Sequence, residues 1–390
     1  MGRTARAALT VVVCLVVGWL GLFGFVWSRN RVPALALPPR PGPPAANAYP
    51  EYEECVRSVK QANLLFEEGV FGRPLAPAKA AEVLRENAPL LAKVRQLVER
   101  PSVVTELEPG VNFVARRDFP NVTRLLRYAA KSERDPGAAL RALVDALAFT
   151  EGTCRGGALL HLKTAYQCLL PLAGAFGPAI ARADAAACTE NAQRVKALLD
   201  SSTPLLEFMQ NQRRVFLRIV SSTVPPPGRI ARRLLYLDDY DWDYLMKPKT
   251  APLEALNRYL LRWEAEAKKP ATEVVPPEQP AELEGLISDE RLDPGEIRRH
   301  FAWHHYRIAR LRLVYAALRL EEVRKRTGRY PDTLESLGLG DYATDPFSNS
   351  PLRYRRTGAG YALYSVGANG KDDGGTAPPG GELNQGDILL

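Results

Sequence analysis

One uncharged apolar run, residues 7–27, constrains this chain more than any other feature of its sequence. As a helix its 21 residues would span about 31 Å, which matches the hydrocarbon core of a bilayer. Trp19 and Trp27 suit the membrane interfaces, and arginines flank both ends. A cleavable signal peptide has an apolar region of only roughly 7–15 residues. The run therefore predicts an uncleaved, single-pass anchor in residues 1–32, with residues 7–27 in the membrane.

The side of the membrane follows from features beyond the anchor. Positive charge is similar on both flanks of the run, so the positive-inside rule does not decide the orientation. Residues 33–50 contain seven prolines, which predicts a stiff, extended linker. An even number of cysteines and a calcium-type loop also lie beyond it. We therefore predict that most of the chain is extracytoplasmic, either periplasmic or at the cell surface.

The charge pattern and the motifs argue against several function classes. The 52 Lys and Arg outnumber the 44 Asp and Glu, but they are interspersed with acidic residues and form no dense block. Nucleic-acid binding normally uses a clustered basic patch, so we expect no nucleic-acid partner. No phosphate loop, nucleophile elbow or HExxH zinc motif occurs in the sequence. We expect no catalytic residue and no small-molecule substrate.

Residues 51–265 have apolar residues at helical spacing and predict a helical bundle. Residues 77–100 are expected to form one helix, and Asp135 caps another that begins at Pro136. Two buried helices are expected at 158–173 and 179–199. A bundle without catalytic motifs is typical of a domain that binds a protein partner.

Four cysteines lie beyond the anchor, namely Cys55, Cys154, Cys168 and Cys188. Cys154 and Cys168 are expected on one continuous helix, about 21 Å apart, which is too far for a disulfide. Cys168 could pair with Cys188 across a helix break, which would leave Cys55 and Cys154 as a second pair. All four could equally be free, buried thiols.

Two further clusters have a structural and a functional interpretation. Residues 238–244 mix aspartates with Tyr and Trp. They could bind a cation or a sugar. Alternatively, an aspartate caps a helix while Tyr and Trp pack inward. Glu296, His300 and His304 are spaced four apart and would share one helical face, as metal ligands do. Arginines crowd the same helix and disfavour a cation, so a packed or solvated face is the preferred interpretation.

A Pro-rich linker at 266–283 precedes a different kind of sequence at 284–390. A helix is expected from Pro294 to Thr327, with acidic residues at its start, basic residues at its end and Gly328 as its stop. Two strands follow at 352–356 and 361–366, joined by a Gly-containing turn. The overall prediction is a mainly α protein with a membrane helix, a helical-bundle body and a small α+β module.

The segments GRYPDTLESL, DPFSNSPLRYR, GYALYSVGANGKDDGG and GDI follow this helix in that order. The arrangement resembles the globular part of the major pseudopilins of type II secretion systems, over roughly residues 300–390. The resemblance implies a long helix on a small antiparallel sheet and a C-terminal loop that binds Ca²⁺. Glycines and hard oxygen ligands in the loop suit that ion. The predicted calcium ligands are Ser365 and Val366 through backbone carbonyls, and Asn369, Asp372, Asp373 and Asp387 through side chains.

Three functions are compatible with this sequence. The preferred one is a membrane-anchored, non-enzymatic envelope protein with a helical interaction domain and a calcium-binding pseudopilin-like end, associated with secretion machinery. The second is a pilin-like filament subunit, although the start of the chain lacks the glutamate that pseudopilins carry at the fifth position after leader cleavage. The third is an envelope metalloenzyme that uses the Glu296, His300 and His304 face.

Overall fold

A computed structural model describes residues 3–33, 35, 37, 39–105, 107, 118–235, 245–283, 292–358, 360–377 and 385–390. Within this part the protein is mainly helical with one short antiparallel strand pair, which confirms the mainly α class and the short sheet of the prediction. The helices are α1 (Arg3–Arg29), α2 (Tyr49–Arg57), α3 (Ala62–Phe71), α4 (Pro77–Glu86), α5 (Ala88–Leu97), α6 (Phe119–Ser132), α7 (Pro136–Cys154), α8 (Leu159–Leu169), α9 (Phe176–Arg182), α10 (Ala185–Asp200), α11 (Leu205–Thr223), α12 (Pro227–Leu234), α13 (Thr250–Glu266) and α14 (Pro294–Thr327). The strands are β1 (Arg353–Thr357) and β2 (Gly360–Tyr364).

The N-terminal helix α1 differs from all other helices in its exposure. Its segment Arg6–Arg29 is long and apolar enough to cross a membrane, and only 6% of its most apolar window is buried within the protein. The Pro-rich segment after α1 lies partly on the helical body. Arg40 Nη1 donates to the carbonyl of Thr105 at 3.0 Å, and its Nη2 donates to the carbonyl of Gly156 at 3.1 Å.

The single helix predicted at 77–100 is wrong, because the structure has two helices that meet at Asn87. The Asn87 side chain bonds to both backbone groups of Lys60 and to the carbonyl of Val83. Pro89 follows and supplies no N–H group for the helix. The break therefore connects α4 and α5 to the turn after α2.

Helix α7 begins as predicted, with the Asp135 carboxylate accepting from the amides of Gly137 and Ala138. The continuous helix predicted through Cys154 and Cys168 is wrong, because α7 ends at Cys154 and α8 begins at Leu159. Gly156 between them adopts a φ of 67°. A Cβ atom there would lie 2.8 Å from Val103, so the turn requires glycine.

The helix predicted at 179–199 is also divided. Helix α9 ends at Arg182, and the Asp184 carboxylate accepts from the amide of Ala187 at 2.7 Å to begin α10. This second cap satisfies a backbone amide that would otherwise have no partner at the start of α10.

The four cysteines beyond α1 are free, buried thiols, which agrees with the second of the two predicted states. Burial raises the pKa of Cys154 to about 12 and the pKa values of Cys55 and Cys188 to about 11. These thiols are therefore protonated at neutral pH and behave as small apolar side chains.

Helix α14 forms between the predicted start and end. Asp293 accepts from the amide of Glu296 at 3.0 Å, and Gly328 closes the helix with a φ of 83°. The helix packs mainly on α10 and α8, and its apolar side chains join the core of the body. Helix α14 is therefore part of the same packed structure as the helices of the body. The domain division at 284 stays a prediction, because that boundary lies outside the described residues.

A buried ion pair joins α14 to α7. Arg307 and Glu151 are 1% and 2% exposed at their side chains, and Arg307 Nη1 donates to the Glu151 carboxylate. Arg307 also donates to Ser202 Oγ at 2.9 Å and to the carbonyl of Thr203 at 3.2 Å. Both charges therefore have partners inside the protein, as a buried pair requires.

Strands β1 and β2 pair in the register Arg353↔Tyr364 to Thr357↔Gly360, so the hairpin predicted from the glycines is confirmed. A single bridge between Ser365 and Ile388 continues this pairing. The C-terminal residues therefore return to the end of β2 and enclose the loop that begins at Val366.

Candidate functional site

The loop after β2 is closed by backbone contacts between its two ends. The amide of Ser365 donates to the carbonyl of Ile388 at 3.1 Å, and the amide of Ile388 donates to the carbonyl of Ser365 at 2.8 Å. Gly367 has a φ of 66°, and a Cβ atom there would lie 2.5 Å from the Gly386 carbonyl oxygen. Only glycine permits this close approach, which holds residues 367 and 386 side by side.

Asp387 is the buried centre of this loop. Its side chain is fully buried, and its carboxylate accepts from three backbone amides. The amide of Asp373 donates to Oδ1 at 3.3 Å, while those of Gly375 and Thr376 donate to Oδ2 at 2.7 and 3.3 Å. The amide of Asp387 itself donates to the carbonyl of Thr376 at 2.7 Å. The carboxylate thus organises residues 373–376 around itself.

Asn369 and Asp373 join this group through their side chains. Asn369 Nδ2 donates to Asp373 Oδ2 at 2.8 Å, and Asn369 Oδ1 accepts from the amide of Lys371 at 3.0 Å. Three of the predicted calcium ligands, Asn369, Asp373 and Asp387, therefore lie in one hydrogen-bonded set.

Asp372 is turned away from that set toward the hairpin. Its Oδ1 accepts from the Tyr364 hydroxyl at 2.9 Å, and its Oδ2 lies 3.2 Å from Arg353 Nε. The Tyr364 hydrogen bond, the Gly374 amide and the Arg353 charge lower the pKa of Asp372. Of the two adjacent aspartates, Asp373 is the one placed beside Asp387.

Ser365 and Val366 are bound to a carboxylate that sequence reasoning did not select. Asp345 is fully buried, and it accepts from Ser365 Oγ at 2.9 Å, the Val366 amide at 2.8 Å and the Phe347 amide at 2.9 Å. Asp345 therefore ties the turn at 345–350 to the end of β2. The only sequence feature that pointed to Asp345 is its position at the start of DPFSNSPLRYR, one of the segments that resemble the pseudopilins.

Two carboxylates of this loop, Asp373 and Asp387, have no basic partner in the part of the chain that the structure describes. Among the described residues, no Lys or Arg forms an ion pair with Asp373 or Asp387, whereas Asp372 has Arg353. Among the described groups, three backbone amides offset the burial of the Asp387 carboxylate, although burying a charge without a counter-charge is costly. Two carboxylates and an amide oxygen are ligands that Ca²⁺ accepts, so the donor chemistry fits the ion. In the described ranges no three His, Cys, Asp or Glu side chains are grouped so that they could hold a metal ion.

The second candidate site, on α14, does not bring its predicted ligands together. Glu296 pairs with Arg299 at 2.6 Å instead of facing a histidine. His300 Nδ1 lies 2.7 Å from the Glu296 carbonyl oxygen, and His304 Nδ1 lies 3.3 Å from Arg307 Nη2. Burial lowers the pKa of His300 to about 4 and that of His304 well below its usual value. These contacts are those of neutral core histidines.

The Asp- and Tyr-rich segment at 238–244 lies outside the described residues. No known protein family, curated protein or solved structure matches this chain. The likeness to the major pseudopilins therefore depends only on the sequence motifs of residues 300–390.

Proposed function

We propose that this protein is a membrane-anchored, non-enzymatic envelope protein whose helical body binds a protein partner and whose C-terminal loop binds Ca²⁺. The observation that carries the proposal is the exposed apolar surface of α1. Only 6% of its most apolar window is buried within the protein. Soluble proteins do not leave a continuous apolar surface of that size in water, whereas a bilayer covers it.

Calcium is proposed because Asp373 and Asp387 lie together without a basic partner among the described residues. Asp373 and Asp387 would hold the ion, together with the amide oxygen of Asn369 after a rotation that frees it from Lys371. The ion would supply the positive charge that the described residues do not provide there. Its role would be structural, since it would fix the loop against β2.

We place the loop outside the cytoplasm because of the calcium that it is proposed to bind. Loops that bind calcium weakly are occupied where the ion is abundant, which is outside the cytoplasm. The pseudopilin resemblance of residues 300–390 makes a component of a secretion machine the partner class that we propose for the helical body.

Membrane fractionation of the full-length protein with a C-terminal topology reporter tests this proposal. We expect the protein to stay in the membrane pellet after alkaline carbonate extraction, and we expect the reporter to be active only on the extracytoplasmic side. Release by carbonate would contradict the anchor. A cytoplasmic reporter signal would contradict the location and remove the support for calcium occupancy.

A further inference from the structure

The short helix α12 has one apolar face and one basic face. Ile230 and Leu234 are buried, whereas Arg232 on the opposite face is exposed. Leu235, directly after the helix, is 53% exposed. An amphipathic helix with exposed basic and apolar residues is typical of a membrane surface.

Helix α12 packs against the last turns of the proposed membrane span. Ile230 and Leu234 form a small apolar cluster with Val26, and Trp19 and Phe23 of α1 pack on its edge. These three α1 residues are four and three positions apart, so they lie along one face of the helix. The contact is therefore made by the side of α1, and it extends back from the C-terminal end of the helix to Trp19.

Hydrogen bonds hold the end of α1 to the turn at residues 245–250. Asn30 Nδ2 donates to the carbonyl of Leu245 at 2.7 Å, and Arg29 Nε donates to the carbonyl of Met246 at 2.9 Å. The amide of Lys249 donates to the carbonyl of Arg29 at 2.8 Å. These bonds place residues 245–250 directly beside the end of α1.

The position along α1 sets the depth of α12. Trp19 lies about 15 Å before Arg29 along the helix axis, and Val26 lies about 5 Å before it. If Arg29 lies at the headgroups, Val26 and the buried side chains of α12 beside it lie in the outer part of the hydrocarbon layer, whereas Trp19, at the edge of the cluster, lies near its middle. The basic face of α12 and the turn at 245–250 then lie among the headgroups.

We infer that α12 and the turn at 245–250 form a membrane-surface pad that binds anionic phospholipid headgroups. The pad presents Arg232 and Lys247 as exposed cations, with Leu235 and Met246 as exposed apolar side chains at its edges, and Arg31 after α1 adds a third exposed cation. Arg and Lys near a bilayer attract anionic lipid, and the apolar side chains insert beside them. This inference rests on the proposed membrane anchor, and it adds that the body lies flat against the bilayer at α12.

The segment between α12 and Leu245 contains four aspartates and lies outside the described residues. Its negative charge would oppose anionic lipid. The dependence of the contact on lipid charge is therefore the decisive property to measure.

Thiol labelling of the full-length protein in nanodiscs tests the pad. Leu235→Cys and Leu261→Cys are compared in a Cys14→Ala background, because the four other native cysteines are buried. Leu261 lies on α13 and is 41% exposed, so it is a matched control for Leu235. Nanodiscs leave both membrane faces open to an impermeant maleimide, and they are made with phosphatidylcholine alone or with added phosphatidylglycerol.

We expect the maleimide to label position 235 about tenfold more slowly than position 261 in discs that contain phosphatidylglycerol. Arg232→Glu with Lys247→Glu should restore labelling at 235, whereas Arg258→Glu with Arg262→Glu on α13 should not. Equal labelling of both positions in discs that retain the protein would overturn the pad and leave the anchor intact. Protection that is equal in both lipids would overturn the preference for anionic headgroups. Elution of the protein free of discs would instead refute the anchor.

Discussion

Two buried carboxylates, Glu151 in α7 and Asp387 in the C-terminal loop, are stabilised in different ways. Glu151 pairs with Arg307 and also accepts from Ser202 Oγ at 3.1 Å, so its counter-charge is part of the fold. Asp387 accepts only from backbone amides in the described structure. The buried carboxylate of the helical body therefore has its counter-charge within the fold, whereas Asp387 has none among the described residues, and for this reason we propose a cation there.

The largest effect is expected when the internal pair is broken. Glu151→Ala leaves the Arg307 guanidinium buried without its carboxylate, which should lower the free energy of unfolding by about 3–5 kcal/mol. Denaturant unfolding of the full-length protein in detergent measures this change. Calcium should not restore the lost stability, because the partners of Glu151 and Arg307 in the described structure include none of the proposed ligands.

The exposed pair of Arg141 and Glu190 is the matched control. Its side chains are 55% and 50% exposed, so Arg141→Ala should change stability by less than about 1 kcal/mol. A loss in Glu151→Ala no larger than in this control would contradict the importance of the internal pair.

The second-largest effect is expected from acid, which should lower the free energy of unfolding through the buried histidines of α14. Burial lowers the pKa values of His300 and His305 to about 4, and the nearby charges of Lys163, Arg299 and Arg312 act in the same direction. The unfolded chain therefore binds protons first. The free energy of unfolding should be highest above about pH 6.5 and should fall as the pH decreases toward about 4.

Unfolding measured across this pH range checks the prediction. His300→Asn with His305→Asn should reduce the slope of the profile, with His304 left to titrate, since an asparagine amide can donate to the same carbonyls without titrating. A profile that is unchanged by the double substitution would show that other groups cause the acid sensitivity.

Asp345→Asn should have an intermediate effect. The new amide group would face the Val366 amide or the Ser365 hydroxyl, and an unsatisfied buried donor costs about 1–3 kcal/mol. Thermal unfolding measures the loss. Because Asp345 is not a proposed ligand, the stabilisation by calcium should persist in this variant, and its disappearance would argue for a role of Asp345 in ion binding.

Asp372→Asn should have the smallest effect. The side chain is exposed, and its partners Tyr364 and Arg353 are accessible to water. We expect little change in melting temperature and an unchanged response to calcium. A lost response would place Asp372 among the ligands and contradict the assignment of Asp373.

Local signals in the sequence predicted some elements well. Asp293 and Gly328 marked both ends of α14, and the glycines at 358 and 360 marked the hairpin. The helix breaks at Asn87 and Gly156 were missed because long-range contacts, to Lys60 and Val103, stabilise them. The burial of Asp345 could not be predicted, because it depends on contacts with Ser365 and Val366, twenty or more residues further along the chain. The different orientations of Asp372 and Asp373 could not be predicted either, because the sequence does not distinguish two adjacent aspartates.

A calcium titration of the melting temperature, on the full-length protein and on Asp387→Asn, tests the central comparison most directly. Saturating calcium should raise the melting temperature of the native protein, because a ligand at one hundred times its Kd stabilises the folded state by about 2.7 kcal/mol. Asp387→Asn should lose this increase, while Asp372→Asn should keep it. An unchanged melting temperature in the native protein, or an equal increase in Asp387→Asn, would contradict a calcium site at Asp387.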